Sequence, residues 1–437
     1  MTLQNEESTP YTMAEAIAEA KRCLNCKAPQ CKKGCPIGND IPDWIHELSM
    51  GNIGNAMNII NAKSNLPAVC GRVCAHERQC EGHCVMGKLG DHINIGRLER
   101  FIADFDTQMN LTRRPISAKT RGKVAVIGSG PAGITVAGEL ARKGFNVDIF
   151  EMEKRAGGVL TFGIPDYRLP GNVVDSEIEK IKQLGVKVLV GVTVGPDITV
   201  DGLFENGYDA IFMGTGAGKP KSLDIEGGDS KCIMQAIHFL RLASMYNNKV
   251  IRRRDIGLKT NSRVFIVGCG NTAMDAARTA LRLGAQEVTV VYHRGIENMS
   301  ALRAEYDEAV AEGVKFLWYS SIKSIRHNPE GTDYLLAMEV EGVVTDMPAD
   351  KVIIAVGSRP ASRIVSTTDG IETDENGYVI TREYPFGMTT RKGVFAGGDV
   401  SGNQATVVHA MANARAVAES IASYVDAINL LRTIDQQ

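Results

Sequence analysis

Eight of the ten cysteines in this chain lie within 62 residues near its amino-terminal end. Cysteines spaced this closely, with a proline after the last one of a block, are typical of ferredoxin-style iron–sulfur binding, in which that last cysteine often serves another cluster. The pattern therefore predicts two [4Fe–4S] clusters, and two zinc sites are the alternative. The two blocks are Cys23, Cys26, Cys31 and Cys35, then Cys70, Cys74, Cys80 and Cys84.

The expected cellular location of the protein favours metal binding over disulfides for these cysteines. The chain has 437 residues and a formal net charge of −2, which gives no reason to expect nucleic-acid binding. No apolar run approaches the roughly 18–20 residues that span a bilayer. The first 22 residues hold four acidic side chains and no apolar core of a signal peptide. We therefore expect a cytoplasmic protein, in which cysteines stay reduced.

A glycine fingerprint for a dinucleotide follows the cysteine blocks. It lies between a strand at 124–127 and a helix, and the next strand ends in an acid, Glu151. The glycines permit a tight turn and a close approach to a pyrophosphate, and the acid is expected to bind ribose hydroxyls. The fingerprint consists of Gly128, Ser129, Gly130, Pro131, Ala132 and Gly133.

A second fingerprint contains Gly268, Gly270, Asn271 and Thr272, and its second strand ends in Arg294 rather than in an acid. An acid at that place selects NAD, whereas a cation accommodates the 2′-phosphate of NADP. The second site is therefore predicted to bind NADPH through Arg294, with Arg303 as the alternative. No Cys-x2-Cys or Cys-x4-Cys follows either turn, which argues against a disulfide reductase of the thioredoxin type.

The order of the patterns predicts an α/β protein with three parts. A small α-helical iron–sulfur domain at 1–120 precedes two Rossmann-like dinucleotide-binding domains, one inserted in the other. The first dinucleotide-binding domain is expected at 121–228 and 358–437, and the second, predicted to bind NADPH, at 229–357. A long helix is predicted from His409 to Val425, and its apolar face makes His409 a packing residue rather than a catalytic one.

Several further motifs resemble one family, the small (beta) subunits of glutamate synthase and their relatives. These relatives include the N-terminal half of dihydropyrimidine dehydrogenase and the large subunit of bifurcating NADH-dependent ferredoxin:NADP oxidoreductase. The resemblance implies that the first dinucleotide is FAD and the second NADPH. The motifs are 67–74 around Cys70 and Cys74, Ile95-Gly-Arg-Leu-Glu-Arg-Phe101, Gly157 to Pro165, Arg168-Leu-Pro170 and Ala396-Gly-Gly-Asp399.

The resemblance also implies which residues hold each cofactor. The first cluster would take Cys23, Cys26, Cys31 and Cys84, and the second Cys35, Cys74 and Cys80. The fourth ligand of the second cluster is expected to be Glu99, with Cys70 as the alternative. The further cofactor-binding residues are predicted to be Gly158, Val159, Arg168, Gly357, Gly398, Asp399 and Thr406.

These assignments predict an oxidoreductase that passes electrons from NADPH through FAD to the clusters and then to a partner. No acid, base or nucleophile is required, so no catalytic side chain is assigned. The terminal acceptor is expected on a partner subunit, either an FMN-barrel chain or a ferredoxin-reductase-like chain, within an oligomer. A glutamate synthase small subunit is favoured. The alternatives are the flavin subunit of a dihydropyrimidine dehydrogenase or of a bifurcating oxidoreductase, and an electron-relay scaffold for a larger complex.

Overall fold

The computed structural model describes residues 3, 6, 7, 9–112, 116–331, 333–360, 363–402 and 406–435. The chain divides into two compact units. The smaller unit comprises Met1–Glu7, Thr161–Pro170 and Gly218–Ser358, and the larger unit comprises Ser8–Leu160, Gly171–Ala217 and Arg359–Gln437. None of the described helices is long and apolar enough to cross a membrane.

The larger unit begins with a helical region. Its first helix starts at a capping box, in which Thr12 and Glu15 bond to each other's backbone N–H groups. Trp44, Leu48 and Met57 are fully buried in the core of this region, beside the partly buried cysteines of the first block. The helices are α1 (Met13–Lys21), α2 (Gln30–Gly34), α3 (Ile41–Ser49), α4 (Ile53–Asn61), α5 (Pro67–Val73) and α6 (Ile95–Met109), with 3-10 turns at His76–Arg78 and Val85–Lys88.

Alternating strands and helices follow this region. The apolar runs of β1 and β2 are almost entirely buried, as expected for strands covered on both faces. The elements are β1 (Lys123–Ile127), α7 (Pro131–Arg142), β2 (Asn146–Glu151), α8 (Val159–Phe162), α9 (Gly171–Lys182), β3 (Lys187–Val190), α10 (Val200–Glu205) and β4 (Ala210–Met213).

The same alternation recurs in the smaller unit and is followed there by a hairpin region. The elements of the smaller unit are β5 (Lys219–Pro220), β6 (Ile233–Gln235), α11 (Ala236–Asn247), β7 (Arg263–Val267), α12 (Asn271–Arg282), β8 (Glu287–Val291), α13 (Arg303–Ala311), β9 (Lys315–Leu317), β10 (Ser320–His327), β11 (Tyr334–Val340), β12 (Val343–Ala349) and β13 (Lys351–Ile354). The chain passes to the larger unit at β14 (Ser358–Arg359), and α14 (Arg363–Ser366) follows there. The chain ends with β15 (Val394–Ala396) and α15 (Val407–Asp435).

Each unit contains one five-stranded parallel sheet. The order is β15-β4-β1-β2-β3 in the larger unit and β6-β13-β7-β8-β9 in the smaller one, which also has an antiparallel sheet β10-β11-β12. In both parallel sheets the strand before a glycine turn, β1 or β7, is central. Ligands of such sheets bind outside the carboxyl ends of the central strands. The predicted α/β fold with a helical amino-terminal region is confirmed.

The amino-terminal segment is part of the smaller unit. The carboxylate of Glu7 contacts the guanidinium groups of Arg278 and Arg282 on α12. The backbone N–H of Glu7 donates a 3.1 Å hydrogen bond to the carbonyl of Tyr167, and Leu3 packs on the core around α12. This segment is therefore held by both charge and apolar contact.

Candidate cofactor sites

The structure brings together the four cysteines predicted for the first cluster. Cys23 follows the end of α1, Cys31 lies in α2, and Cys84 precedes a 3-10 turn. Between Cys23 and Cys26 the chain turns back at Asn25, which has a left-handed φ of 46°. The thiols of Cys23 and Cys31 each interact electrostatically with those of Cys26 and Cys84.

Without a metal the thiols of Cys23 and Cys31 would stay protonated, because burial raises the pKa of Cys31 to about 11 and also raises the pKa of Cys23. Metal ligation requires thiolates and supplies the free energy that deprotonates them. Among the described residues no three histidine, cysteine or acidic side chains stand close enough to share one metal ion. A cuboidal cluster spreads its iron atoms and hence its ligands more widely than a single ion does.

The second set lines a buried cavity in the larger unit. Cys35, Cys74, Cys80 and Glu99 all contribute to it, and so does Cys70. The thiols of Cys35, Cys74 and Cys80 each interact electrostatically with the Glu99 carboxyl. The remaining lining residues are Ile37, Asn39, Ile41, His76, Gln79, Ile95 and Val408.

Two glycines allow α5 and α6 to meet closely beside this cavity. A Cβ on Gly71 would lie 2.5 Å from the backbone nitrogen of Arg100, and a Cβ on Gly96 would lie 2.3 Å from the ring of His76. Glycine is therefore required at both positions. The close approach places Glu99, one turn after Gly96, next to the thiols.

Glu99 is buried, and its Oε1 has no hydrogen-bond partner among the described residues. Burial, together with the nearby Glu177 carboxylate, raises the pKa of Glu99 to about 8. Asn39 Oδ1 and His76 Nε2 in the same cavity are also buried without a partner. Unpaired polar atoms next to three thiols fit a site that is completed by an iron–sulfur cluster.

Cys70 lies at the same cavity but already has sulfur and hydroxyl neighbours. Its Sγ is 3.7 Å from Sδ of Met411 on α15 and 3.9 Å from Oγ of Ser64. It also contacts the thiol of Cys74. Cys70 therefore remains the alternative fourth ligand.

His76 is a site residue that the sequence reasoning missed. Its ring interacts with the backbone of Cys70, and its Nε2 is buried without a partner among the described residues. Burial lowers the pKa of His76. A histidine two residues after Cys74 was the signal available in the sequence.

The first glycine turn joins β1 to α7 in the larger unit. A Cβ on Gly133 would lie 1.9 Å from the carbonyl oxygen of Gly128, whereas a Cβ on Gly130 would meet nothing within 4 Å. Gly133 therefore lets the helix pack on the turn, and Gly130 leaves room for a ligand. Pro131, the first residue of α7, and Ala132 lie at the helix start, where backbone N–H groups favour phosphate.

The acid at the end of β2 holds this turn together. Glu151 accepts hydrogen bonds from the backbone N–H of Ser129 at 3.0 Å and from its hydroxyl, and from the N–H of Glu153 at 2.8 Å. The Ser129 hydroxyl oxygen in turn accepts the N–H of Gly157 at 2.8 Å. Gly158 follows with a left-handed φ of 55°, and Val159 opens α8.

The carboxyl-terminal motif lies in the same unit as the first turn. A Cβ on Gly398 would lie 3.0 Å from the Cβ of Ala132. Burial raises the pKa of Asp399 to about 6, and its Oδ1 has no partner among the described residues. The hydroxyl oxygen of Thr406, just before α15, accepts the backbone N–H of His409 at 3.3 Å. The unpaired Asp399 oxygen and the space at Gly130 fit a dinucleotide cofactor.

The second glycine turn joins β7 to α12 in the smaller unit. A Cβ on Gly268 would lie 2.5 Å from the carbonyl oxygen of Ala355, and the φ of Gly268 is 118°. Oδ1 of Asn271 accepts the N–H of Leu302 at 2.8 Å and so fixes the loop before α13. Thr272 is exposed, and Gly357, with a φ of 93°, follows the neighbouring strand β13.

Arg294 is exposed at the end of β8, and its side chain has no ion-pair partner among the described residues. The other candidate, Arg303, is bound to Asp307 through a 2.9 Å ion pair. A guanidinium that has no carboxylate neighbour is available for an anion. Arg294 therefore stays the preferred candidate for the 2′-phosphate.

The structure assigns Arg168 to the smaller unit, in a buried network of charges. Its guanidinium binds Asp275 on α12 at 2.8 Å and Glu305 on α13 at 2.6 Å. Arg278 on α12 binds Glu312 at 2.7 Å within the same network. The role of Arg168 toward flavin stays a prediction, while its carboxylate partners give it a structural role.

Two sequence families match the chain. Residues 2–111 match the family described as dihydropyrimidine dehydrogenase domain II, 4Fe-4S cluster, and residues 122–414 match the pyridine nucleotide-disulphide oxidoreductase family.

Curated relatives match along almost the whole chain. The glutamate synthase [NADPH] small chain of Halomonas elongata is 36% identical over 95% of this chain and 92% of its own. The glutamate synthase [NADPH] small chain of Escherichia coli K12 is 33% identical over 95% of this chain and 93% of its own length. The NAD-dependent dihydropyrimidine dehydrogenase subunit PreT of the same strain is 33% identical over 96% and 97%.

Solved structures support the fold of the nucleotide-binding part. Thioredoxin reductase of T. acidophilum covers 70% of this chain and 98% of its own, with a TM-score of 0.54 and 20% identity. The match to Mycobacterium tuberculosis FprA in complex with NADPH covers 70% of this chain and 85% of the FprA chain, with a TM-score of 0.55 and 19% identity. At this identity the likeness concerns the fold alone.

Proposed function

Because the chain belongs to the pyridine nucleotide-disulphide oxidoreductase family and to that of the glutamate synthase small chains, we propose that it is the NADPH-oxidising subunit of a glutamate synthase-type complex. Membership makes it an NAD(P)H oxidoreductase with FAD and a 4Fe-4S domain. The proposal adds that there are two clusters, that NADPH is the donor, and that a partner chain is the acceptor. The observation that carries it is the assembly of two separate thiol sets in the unit that also holds the first glycine turn, in a chain with a second glycine turn of the same type.

The chemistry supplied by bound FAD and iron–sulfur clusters is the conversion of a hydride into single electrons. The residues of this chain would position these groups. The hydrogen bonds of Ser129 and Glu151 fix the turn that would hold FAD, and those of Asn271 fix the turn that would hold NADPH. Cys35, Cys74, Cys80 and Glu99 would hold one cluster, and Cys23, Cys26, Cys31 and Cys84 the other. The terminal reaction belongs to the partner.

The test is anaerobic purification followed by reconstitution with a glutamate synthase large chain. We expect about eight irons and eight acid-labile sulfides per chain, as two four-iron clusters require. We also expect NADPH-dependent formation of glutamate from glutamine and 2-oxoglutarate in the reconstituted pair. Zinc in place of iron would refute the clusters. NADPH:dye activity without glutamate formation would refute the glutamate synthase assignment and leave the oxidoreductase.

The fourth ligand of the second cluster is tested by a matched pair of variants. Glu99→Ala is expected to change the EPR spectrum of one cluster while FAD stays bound, because the carboxylate would be an iron ligand. Cys70→Ala is expected to leave the spectrum nearly unchanged. The reverse result would assign Cys70 as the ligand.

A second candidate function is the flavin subunit of a dihydropyrimidine dehydrogenase. It is favoured by the match to PreT, which extends over 97% of that chain. Reconstitution with a pyrimidine-reducing barrel chain separates the two candidates, because only one partner should receive electrons from NADPH.

A further inference from the structure

The region around the first set of thiols is unusually basic. Residues 20–39 contain five lysines or arginines and no acid, in a chain whose net charge is −2. Two of these cations are already neutralised, because Arg22 pairs with Glu19 at 2.8 Å and Lys32 pairs with Asp40. The basic excess must therefore come from the others.

Three exposed lysines of this stretch remain, Lys21, Lys27 and Lys33, and the exposed Lys88 lies four residues after Cys84; we call these four side chains the lysine collar. Each lies within four residues of a thiol of the first set or of Cys35. None of the four has an ion-pair partner among the described residues, and the flanking acids Glu19 and Asp40 pair with Arg22 and Lys32. The collar therefore consists of four exposed positive charges without a direct counter-ion.

Two large apolar side chains are exposed within the collar. Leu24, next to Cys23, is 57% exposed, and Leu89, five residues after Cys84, is 76% exposed. An apolar patch with a charged rim is the general composition of a protein-binding surface.

The first site is also the more accessible of the two thiol sets. All four of its cysteines are partly exposed, whereas the second set includes Cys80 and Glu99, which are buried. Because each collar lysine is within four residues of a cluster cysteine in the sequence, a partner bound there would lie close to the first cluster.

We propose that the lysine collar is the docking surface for a redox protein whose own docking face is acidic. This inference rests on the proposed function, in which the first set of thiols holds a [4Fe–4S] cluster. In the transfer step the reduced first cluster loses one electron, and the one-electron centre of the partner gains it. No bond is formed or broken, and no proton moves. Opposite charges on the two faces steer the encounter and fix its orientation.

The test uses the holoenzyme and an acidic plant-type [2Fe–2S] ferredoxin as the probe. The dissociation constant is measured anaerobically at two salt concentrations. The same one-electron exchange is measured by stopped flow in the reverse direction, from dithionite-reduced ferredoxin into the oxidised holoenzyme, because both directions use one docking surface. The test variant is Lys27→Glu/Lys33→Glu/Lys88→Glu. The matched control, Lys231→Glu/Lys259→Glu/Lys392→Glu, makes the same change in net charge at exposed lysines that lie more than 140 positions after Cys84 in the chain.

We expect the collar variant to weaken ferredoxin binding by about tenfold or more at low salt and to slow electron transfer, because steering by charge is lost. The difference should shrink at about 0.5 M salt, which screens exposed charges. The control variant should stay close to the natural protein. Equal effects of both variants, or no effect of either, would overturn the docking surface.

Iron content and flavin reduction by NADPH distinguish this failure from failure of the proposed function. If the natural protein holds iron and its flavin is reduced, but the collar variant binds ferredoxin normally, only the docking surface is refuted. If the natural protein lacks iron and sulfide, the proposed function falls and the docking surface falls with it.

Discussion

At the scale of single residues, Glu99 and Asp399 share one property. Each carries a buried carboxyl oxygen that has no hydrogen-bond partner among the described residues. An unpaired polar atom of this kind costs free energy, about 1–3 kcal/mol by mutational data, so folded proteins retain few of them. Both atoms lie where the sequence predicts a cofactor contact, which gives a physical reason for their burial.

The charge of Arg294 is predicted to set the choice between NADPH and NADH. Replacing it with alanine should raise the KM for NADPH by about 10- to 100-fold, because charge-assisted hydrogen bonds to the 2′-phosphate are lost. The KM for NADH should hardly change. Steady-state kinetics with both nucleotides measure this, and Arg326→Ala is the control at another exposed arginine. A similar loss with both nucleotides would remove Arg294 from the phosphate site.

Arg168 is predicted to be a stability residue of the smaller unit. Arg168→Ala should lower the free energy of unfolding by about 3–5 kcal/mol, because Asp275 and Glu305 would be left buried without a counter-ion. Arg303→Ala, which removes an exposed pair with Asp307, should cost less than about 1 kcal/mol. Urea denaturation of both variants measures the difference. A small effect of Arg168→Ala would contradict the structural role.

The sequence predicts which residue types form the candidate sites better than it predicts which residues contact each other there. The structure brings the predicted cysteines together in the predicted sets, and their roles as ligands stay predictions. His76 could not be found in this way, because its place in the cavity depends on the close crossing of α5 and α6 at Gly71 and Gly96. The contacts of Arg168 could not be predicted from the sequence either, because Asp275 and Glu305 lie more than 100 residues later in the chain.

At the scale of elements, the strand–turn–helix patterns were predictable and the helix ends were not. The strand predicted at 124–127 from its apolar run is observed as Lys123–Ile127. The long helix predicted to end at Val425 continues to Asp435. Its last turns carry exposed apolar side chains such as Leu430 and Leu431. Periodicity marks a helix well only where one face is buried.

The two glycines at the start of α7 are predicted to behave differently. Gly133→Ala should lower the free energy of unfolding by about 1–3 kcal/mol or more, because its Cβ would overlap the Gly128 carbonyl oxygen. Gly130→Ala should leave stability almost unchanged and weaken FAD binding, because its Cβ would enter the open space expected for the pyrophosphate. Thermal unfolding and flavin content measure the two effects. Equal losses of stability would contradict this division.

At the scale of the whole molecule, the hydride site and the electron exit are predicted to be separable. Cys26→Ala should leave NADPH reduction of FAD intact while lowering the iron content by about four per chain, as expected for loss of one four-iron cluster. Transfer to a partner protein should then fail. Rapid-mixing absorbance at the flavin band and iron analysis measure this. Loss of flavin reduction in this variant would show that the cluster and the flavin do not bind independently.

The attachment of Glu7 to α12 has a consequence for biosynthesis. Glu7 and Arg278 are 271 positions apart, so at typical translation speeds the ribosome needs roughly 15–55 s to add the second after the first. During that interval the carboxylate of Glu7 has no arginine to bind, although the helical region that follows Glu7 is already available to fold. The beginning of the chain is thus among the last parts to reach its native place.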